Sequence, residues 1–228
     1  MPEGDTIFRT ARTLNRALAG QIVTRFESVF PRLTRIHEDH PITRRTIQSV
    51  TSRGKHLLME FSGDLTLHTH MRMNGSWHIY RAGERWQRPL RDMRIVVGTE
   101  QFVAVAFNVQ VAELLSPRDL ERHPQLRQLG PDLTDSTRFA RPPQTQPGRF
   151  TASERSTTDR AEVAARIRSR GREAIGDVLL NQRVAAGIGN VLKSEILFVS
   201  GINPFTPAAG LSDPAMERLL DAAQKLLR

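Results

Sequence analysis

The residues with the most chemical potential stand at the start of the chain, where Pro2, Glu3 and Gly4 follow Met1. Initiator methionine is usually removed when the next residue is small, and removal here would leave a secondary α-amine. Such an amine attacks an electrophilic sugar carbon and gives an iminium without losing a second proton. With a pKa of ~7.7–8.0, an α-amine is far better placed to act as a neutral nucleophile than a lysine at ~10.4. Glu3 puts a carboxyl beside whatever the amine attacks, so proton donation and later abstraction are both available. A bare Met-Pro-Glu is a common opening, and the pair acquires meaning only from support elsewhere in the chain.

The strongest support is the stretch from Ile175 to Phe198. A helix is expected to end near Asn181. A small-residue turn with Gly187 and Gly189 follows, and Asn190 opens a second helix with Val191, Leu192, Ile196 and Leu197 on an apolar face. The start of a helix offers free N–H groups and the positive end of a dipole, which suits phosphate. Asn190 could cap that helix or donate its amide to a phosphate oxygen. The plain alternative is a helical hairpin whose glycines serve packing. Lysine is scarce, 3 against 30 arginines, so Lys55, next to Gly54, is a second candidate for holding an anion; a solvated surface lysine is the alternative. His68 and His70, two apart on a strand, allow a metal pair, but phosphate contact or surface placement is the simpler reading. Met73 precedes Asn74-Gly75, which signals a turn, so it is placed at a loop tip rather than in a core. Trp77, Tyr80 and Trp86 are read as structural.

These groups need a scaffold. Ile7, Ala11, Leu14 and Leu18 recur at helical spacing, so residues 5–19 read as a helix with Asp5 or Thr6 as cap and Gly20 as stop. From about 21 to 115 short strands dominate: Gln21–Phe30, Thr46–Thr51, His56–Ser62, Asp64–Met71, Ser76–Arg81, Met93–Gly98 and Phe102–Leu115. Ser116 and Pro117 begin a short helix that Pro124 ends near His123. Residues 134–158, rich in Pro, Ser, Thr and Gln, read as a linker or surface loop. Helical periodicity returns at about 159–170, 173–181, 190–200 and 212–228. The expected class is α+β: a helix and a two-layer β-sandwich over 1–115, then an all-α domain over 116–228.

Composition narrows the partners. A net charge of +9 favours a polyanion, nucleic acid before membrane, because no basic amphipathic anchor stands out. No apolar run approaches the roughly 20 residues that span a bilayer, and no signal segment opens the chain. A cytoplasmic, nucleoid-associated monomer is expected. The absence of cysteine excludes disulfides, thiol catalysis and cysteine zinc sites within these residues.

Taken together, Pro2-Glu3-Gly4 and Ala186-Gly187-Ile188-Gly189-Asn190 with Ser194-Glu195-Ile196-Leu197 closely resemble the formamidopyrimidine-DNA glycosylase/endonuclease VIII family. Arg53-Gly54-Lys55-His56-Leu57-Leu58, His70-Met71-Arg72-Met73-Asn74-Gly75-Ser76 and Leu129-Gly130-Pro131-Asp132 resemble further family motifs in the same order. The resemblance implies a helix–two-turn–helix domain and a cleft for double-stranded DNA carrying oxidised bases, pyrimidines favoured, or abasic sites. It implies Pro2 as nucleophile at C1′, Glu3 as acid and base, and Lys55, His70 and Asn190 on backbone phosphates. It also implies Met73 as the apolar residue filling the gap left by an extruded base, with Phe107 as a weaker second candidate. Extrusion is needed because the target bond is hidden in the duplex. The family usually continues after Gly4 with Pro and Glu; Asp5 and Thr6 stand here, which points to a divergent endonuclease VIII branch. Nothing in these residues matches the family's C-terminal finger, so no metal and no cofactor are expected in this chain; zinc would belong only to such a finger. Two rivals stay open: a damaged-DNA-binding module without turnover, and an N-terminal-proline tautomerase acting on small keto acids.

Overall fold

The computed structural model describes residues 2–134 and 152–228. Helix α1 (Gly4–Leu18) opens the chain. Eight strands follow: β1 (Arg25–Ser28), β2 (Ile47–Arg53), β3 (His56–Phe61), β4 (Leu65–His70), β5 (Ser76–Arg81), β6 (Met93–Gly98), β7 (Phe102–Phe107) and β8 (Val111–Leu115), with helix α2 (Pro31–Asp39) between β1 and β2. They form two antiparallel four-stranded sheets, ordered β1-β6-β7-β5 and β2-β3-β4-β8. The expected two-layer sandwich led by a helix is present. Ile7, Ala11, Leu14 and Leu18 of α1 join Val50, Leu57, Met59, Phe61, Leu67, Ile95, Val97 and Ala104 in one core. Burying each larger side chain there contributes roughly 1.5–3 kcal/mol.

Several boundaries differ from the periodicity. Only Arg25–Ser28 of the expected strand 21–30 pairs with β6. The run 102–115 is two strands, broken where Asn108 takes a left-handed backbone (φ 52°). Neither Asp5 nor Thr6 caps α1; the N-cap position is Glu3, and Asp5 pairs with Arg9 one turn on.

Helices α3 (Pro117–Arg122) and α4 (Pro124–Arg127) meet at His123. Ser116 and Asp119 form a reciprocal capping box on α3, as the Ser-Pro signal suggests. Residues 135–151, most of the expected linker, lie outside the described part. Helix α5 (Ala152–Arg168) covers 152–158, so that part of the expected linker is helical. Helices α6 (Ile175–Leu180), α7 (Asn190–Ser200) and α8 (Asp213–Leu226) complete the second half. Its core gathers Leu133, Val163, Ile167, Ile175, Val178, Ile188, Leu192, Ile196, Met216 and Leu219. Among the described residues no helix is long and apolar enough to cross a membrane.

Candidate active site and nucleic-acid interface

The start of the chain is built into the helical half. Backbone N–H of Gly4 donates to the carbonyl of Gly187 at 2.9 Å. Glu3 is buried, and its carboxylate accepts three backbone N–H groups: Oε1 from Val191 (3.0 Å), Oε2 from Leu192 (2.9 Å) and Gly189 (3.2 Å). Four N–H groups at any helix start lack an internal partner. Here a carboxylate from the other half of the molecule satisfies two of them in α7 and one in the residue before it, where the dipole also favours negative charge. The cap of α7 is therefore Glu3, not Asn190 as its sequence position suggested. Gly189 holds the N-cap position, and Asn190 stands exposed at the first turn.

Glycine is required for this approach. A Cβ on Gly189 would lie 2.4 Å from Cδ and Oε1 of Glu3, and one on Gly4 would lie 2.9 Å from Cα of Gly187. The turn that reads as a packing feature is a contact surface for the N-terminus.

Lys55 reaches the same place by a separate route. Strands β2 and β3 pair Arg53 with His56, leaving Gly54-Lys55 as a two-residue hairpin with Gly54 at φ 59°. Gly54 N–H donates to Oδ2 of Asp132 at 2.6 Å, and Asp132 is fixed by the N–H and hydroxyl of Thr134 (2.9 and 2.6 Å). The carbonyl of Pro131 accepts from Ala186 N–H at 3.0 Å, which ties this corner to the glycine turn. Lys55 is half-buried. Burial pushes its ammonium below the usual lysine range, and the charge of Glu3 opposes that shift. Pro2, Glu3, Lys55 and the start of α7 thus share one locus.

His70 ends β4, directly across from His56 on β3. Its Nδ1 accepts from the N–H of Arg72 at 3.0 Å. With Arg72, Gln125, Gln128, Asn181, Gln182 and Arg183, the two histidines line a cavity of about 320 Å³ at the junction of the two halves. Met73 sits at the tip of the turn closed by Gly75 N–H on the Met71 carbonyl, and it is 60% exposed. A second cavity of about 400 Å³ beside this turn is lined by Phe30, Asn74, Arg94, Asn108, Val109 and Gln110.

Phe107 corrects an expectation. It is fully buried, packed with Tyr80, Val96, Val105 and Trp86 on the outer face of the first sheet, and cannot enter a duplex. Asn108–Gln110, one to three residues further, are the groups that line the cavity with Asn74, the neighbour of Met73. Trp77 and Tyr80 are buried, matching their structural reading.

His68 is not a surface residue. It is buried, with Nδ1 3.0 Å from Oε2 of Glu113 and Nε2 2.8 Å from Nδ1 of His56. Glu113 also receives Nε2 of His123 at 2.9 Å. Neither Glu113 nor His123 is conspicuous in the sequence; only the pairing of His68 with Glu113 across β4 and β8 brings them together.

Comparison with known proteins follows the same outline. A family model described as the formamidopyrimidine-DNA glycosylase N-terminal domain matches residues 1–122, and one described as the formamidopyrimidine-DNA glycosylase H2TH domain matches residues 151–228. The chain is 38% identical over 228 residues to the probable endonuclease 8 2 of Streptomyces coelicolor, covering 100% of this chain and 73% of that protein. It is 32% identical over 228 residues to the DNA-(apurinic or apyrimidinic site) lyase Nei2 of Mycolicibacterium smegmatis, covering 100% and 77%. Its fold matches the Lactococcus lactis formamido-pyrimidine DNA glycosylase non-covalently bound to DNA containing an AP site, with a TM-score of 0.73, 22% identity, and coverage of 99% of this chain and 78% of that one.

Proposed function

The chain belongs to the formamidopyrimidine-DNA glycosylase/endonuclease 8 family, and from that premise we infer how its own residues carry out the chemistry. It is a DNA glycosylase with AP lyase activity in base-excision repair, and its partner is damaged double-stranded DNA. Once Met1 is removed, the lone pair of the Pro2 nitrogen attacks C1′ of the damaged nucleotide. The N-glycosidic bond breaks, and the base leaves with the bonding electrons and takes up a proton. Opening of the C1′–O4′ bond, with a proton delivered to O4′, gives an iminium between Pro2 and C1′. Loss of a C2′ proton then expels the 3′ phosphate and cuts the strand.

The observation that carries this reading is the placement of Glu3. Of its two carboxylate oxygens, Oε1 accepts a single N–H bond, so a lone pair is left to take the proton that the Pro2 nitrogen sheds after attack, pass it to O4′, and later accept the proton at C2′. Three N–H bonds from the start of α7 keep the carboxylate from turning away, which is the fixed geometry that proton transfer needs. Lys55, His70 and Asn190 hold backbone phosphates around the extruded nucleotide, which fixes register without reading sequence. Met73 fills the vacated stack. Oxidised pyrimidines are the preferred lesions, a preference supported by the Pro2-Glu3-Gly4-Asp5-Thr6 opening, and the protein works at the nucleoid. A panel of single-lesion duplexes measures that preference.

The test of the chemistry is borohydride trapping on a duplex with one abasic site. The expected product is a covalent adduct with the mass of the chain lacking Met1, attached through Pro2. Intact protein shown to lack Met1 but giving no adduct would overturn the lyase reading and favour a binding module. Salt-insensitive turnover of a small keto acid would favour the tautomerase.

A further inference from the structure

Four of the chain's seven histidines lie along one strip on the outer face of the second sheet and the corner between α3 and α4. We propose that Glu113, His68 and His56 form a hydrogen-bonded relay, tethered at its far end by His123, that positions His70 as an N–H donor to a phosphate oxygen of the damaged strand. The proposal rests on the phosphate-holding role inferred above for His70.

The proton positions follow from the geometry, one after another. Leu126 N–H donates to Nδ1 of His123 at 3.2 Å, so a neutral His123 must carry its proton on Nε2. That nitrogen lies 2.9 Å from Oε2 of Glu113 and donates to it. A carboxylate only accepts, so Nδ1 of His68, 3.0 Å from the same oxygen, is a second donor. Neutral His68 then has a bare Nε2, and the 2.8 Å contact with His56 requires the proton on Nδ1 of His56. His56 is left with an unprotonated Nε2. His70 is set separately: Arg72 N–H occupies its Nδ1, which places its proton on Nε2. The rings of His56 and His70 meet edge to face, 4.7 Å apart at 79°, so the ring plane fixed by the relay is the wall against which His70 stands.

The same logic separates the relay from a metal centre. The donor atoms of His68, Glu113 and His123 lie within 4.8 Å of one another, close enough to surround an ion. With Nδ1 of His123 occupied by a backbone N–H, its Nε2 must keep a proton and has no lone pair to give a metal. Burial holds three of the four imidazoles neutral: it lowers His68 and pushes His56 down to about 2 and His70 to about 4, with the neighbouring Arg53, Arg72, Lys55 and the other histidines adding to the shifts. Glu113 is the carboxylate that bonds to the strip, through His68 and His123.

An imidazole with a fixed tautomer offers a donor of one direction and no proton to lose near neutrality. His70 should therefore grip a phosphate with the same strength across the range where an ordinary histidine titrates, near pH ~6.5. Partners that orient a functional imidazole, as around metal-bound histidines, cost about tenfold or more when removed. The test uses the full chain lacking Met1. Two-bond imidazole 15N spectra should show Nδ1–H tautomers for His56 and His68 and Nε2–H tautomers for His70 and His123; any other neutral pattern overturns the relay. On a duplex with one abasic site, His68→Phe should raise KM about tenfold with kcat within about twofold, and should introduce a pH dependence of KM near 6–7. Glu113→Gln, which keeps an oxygen to accept both bonds, should stay near wild type, whereas Glu113→Ala should behave like His68→Phe. If wild type traps on abasic DNA while Glu113→Ala, folded by circular dichroism, binds and titrates like wild type, the relay is wrong and the site reading stands. If wild type fails to trap, the function itself has failed.

Discussion

Two parts of this molecule hold functional side chains in place by different means. At Glu3 the grip is made of backbone: three N–H groups from residues 189, 191 and 192 converge on one carboxylate, and glycines at 4, 187 and 189 allow the approach. At His70 the backbone N–H of Arg72 sets the proton, and the wall behind the ring is made of side chains: His56, His68, Glu113 and His123, drawn from three strands and a helix junction and joined by three hydrogen bonds. A backbone grip does not titrate and does not depend on tautomers, but it tolerates no added atom. A side-chain grip tolerates size changes and fails when a proton moves. The first suits a group that must transfer protons from a fixed position, the second a group that must stay neutral.

The largest effect should come from adding a single methyl group to the backbone grip. In Gly189→Ala the new Cβ must push Glu3 aside, since 2.4 Å is far inside contact distance. Displacement of a reacting group by about 1 Å costs on the order of 100-fold, so single-turnover cleavage of an abasic-site duplex should fall at least that much. Stability should drop by about 2 kcal/mol as hydrogen bonds to a charged group are lost. The comparison sharpens in a double-mutant cycle: Glu3→Ala vacates the space the methyl group needs, so the two substitutions should couple by more than about 1 kcal/mol in urea unfolding. Additive losses would mean that Gly189 serves only the turn.

The same contrast explains what the sequence reveals. The Pro-Glu-Gly opening and the Gly-Ile-Gly-Asn turn are legible because a backbone grip needs glycines at fixed spacings, and glycines stand out. What they grip is not legible. Glu3 caps a helix 186 residues away, and nothing local says that Asn190 yields the cap to it. The histidine relay is harder still, since His68 and Glu113 are 45 residues apart and meet only through strand register. Local pattern also missed α2 (Pro31–Asp39), whose core-facing stripe is short: Leu33 is buried and Ile36 packs beside it half-buried. It merged β7 and β8, because Asn108 breaks the strand by dihedral angle rather than by a glycine or proline.

Lys55 lies between the two grips and offers the next largest effect. Its backbone is held by Asp132 through Gly54, whereas its ammonium is set by burial and by the charge of Glu3. Lys55→Ala should weaken binding to an abasic-site duplex about tenfold and lower the slope of log K against log salt by about 1 between roughly 50 and 200 mM. An unchanged slope would remove Lys55 from the phosphate contacts. Acid separates the grips further. His56 has a folded pKa far below its unfolded value of ~6.5, so the unfolded chain binds the extra proton first. Stability from this group is complete above about pH 6.5 and declines as pH falls toward 4, by about 1 kcal/mol per unit. Glu113 is raised by burial, but the bonds from His123 and His68 outweigh this and hold it below its ordinary range, so its contribution fades only in more acid solution. Urea unfolding at pH 5 and pH 7 measures the difference; equal stabilities would show that the histidines are not held neutral.

Met73 should give the smallest effect, because neither grip holds it. Its side chain is 60% exposed at the tip of a turn whose backbone is fixed by Gly75 on Met71 and by Arg72 on His70. Met73→Ala should therefore leave stability within about 0.5 kcal/mol. Its cost should appear only where a stack must be refilled. Unstacking a nucleotide takes a few kcal/mol in a duplex and less in a single strand, and an apolar side chain offsets part of it. Cleavage at an abasic site should fall about three- to tenfold in duplex DNA and remain near wild type in a single strand of the same sequence. An equal loss on both substrates would make Met73 a general contact with the strand, and Asn108 and Gln110, across the neighbouring cavity, would then be the residues to substitute next in search of the wedge.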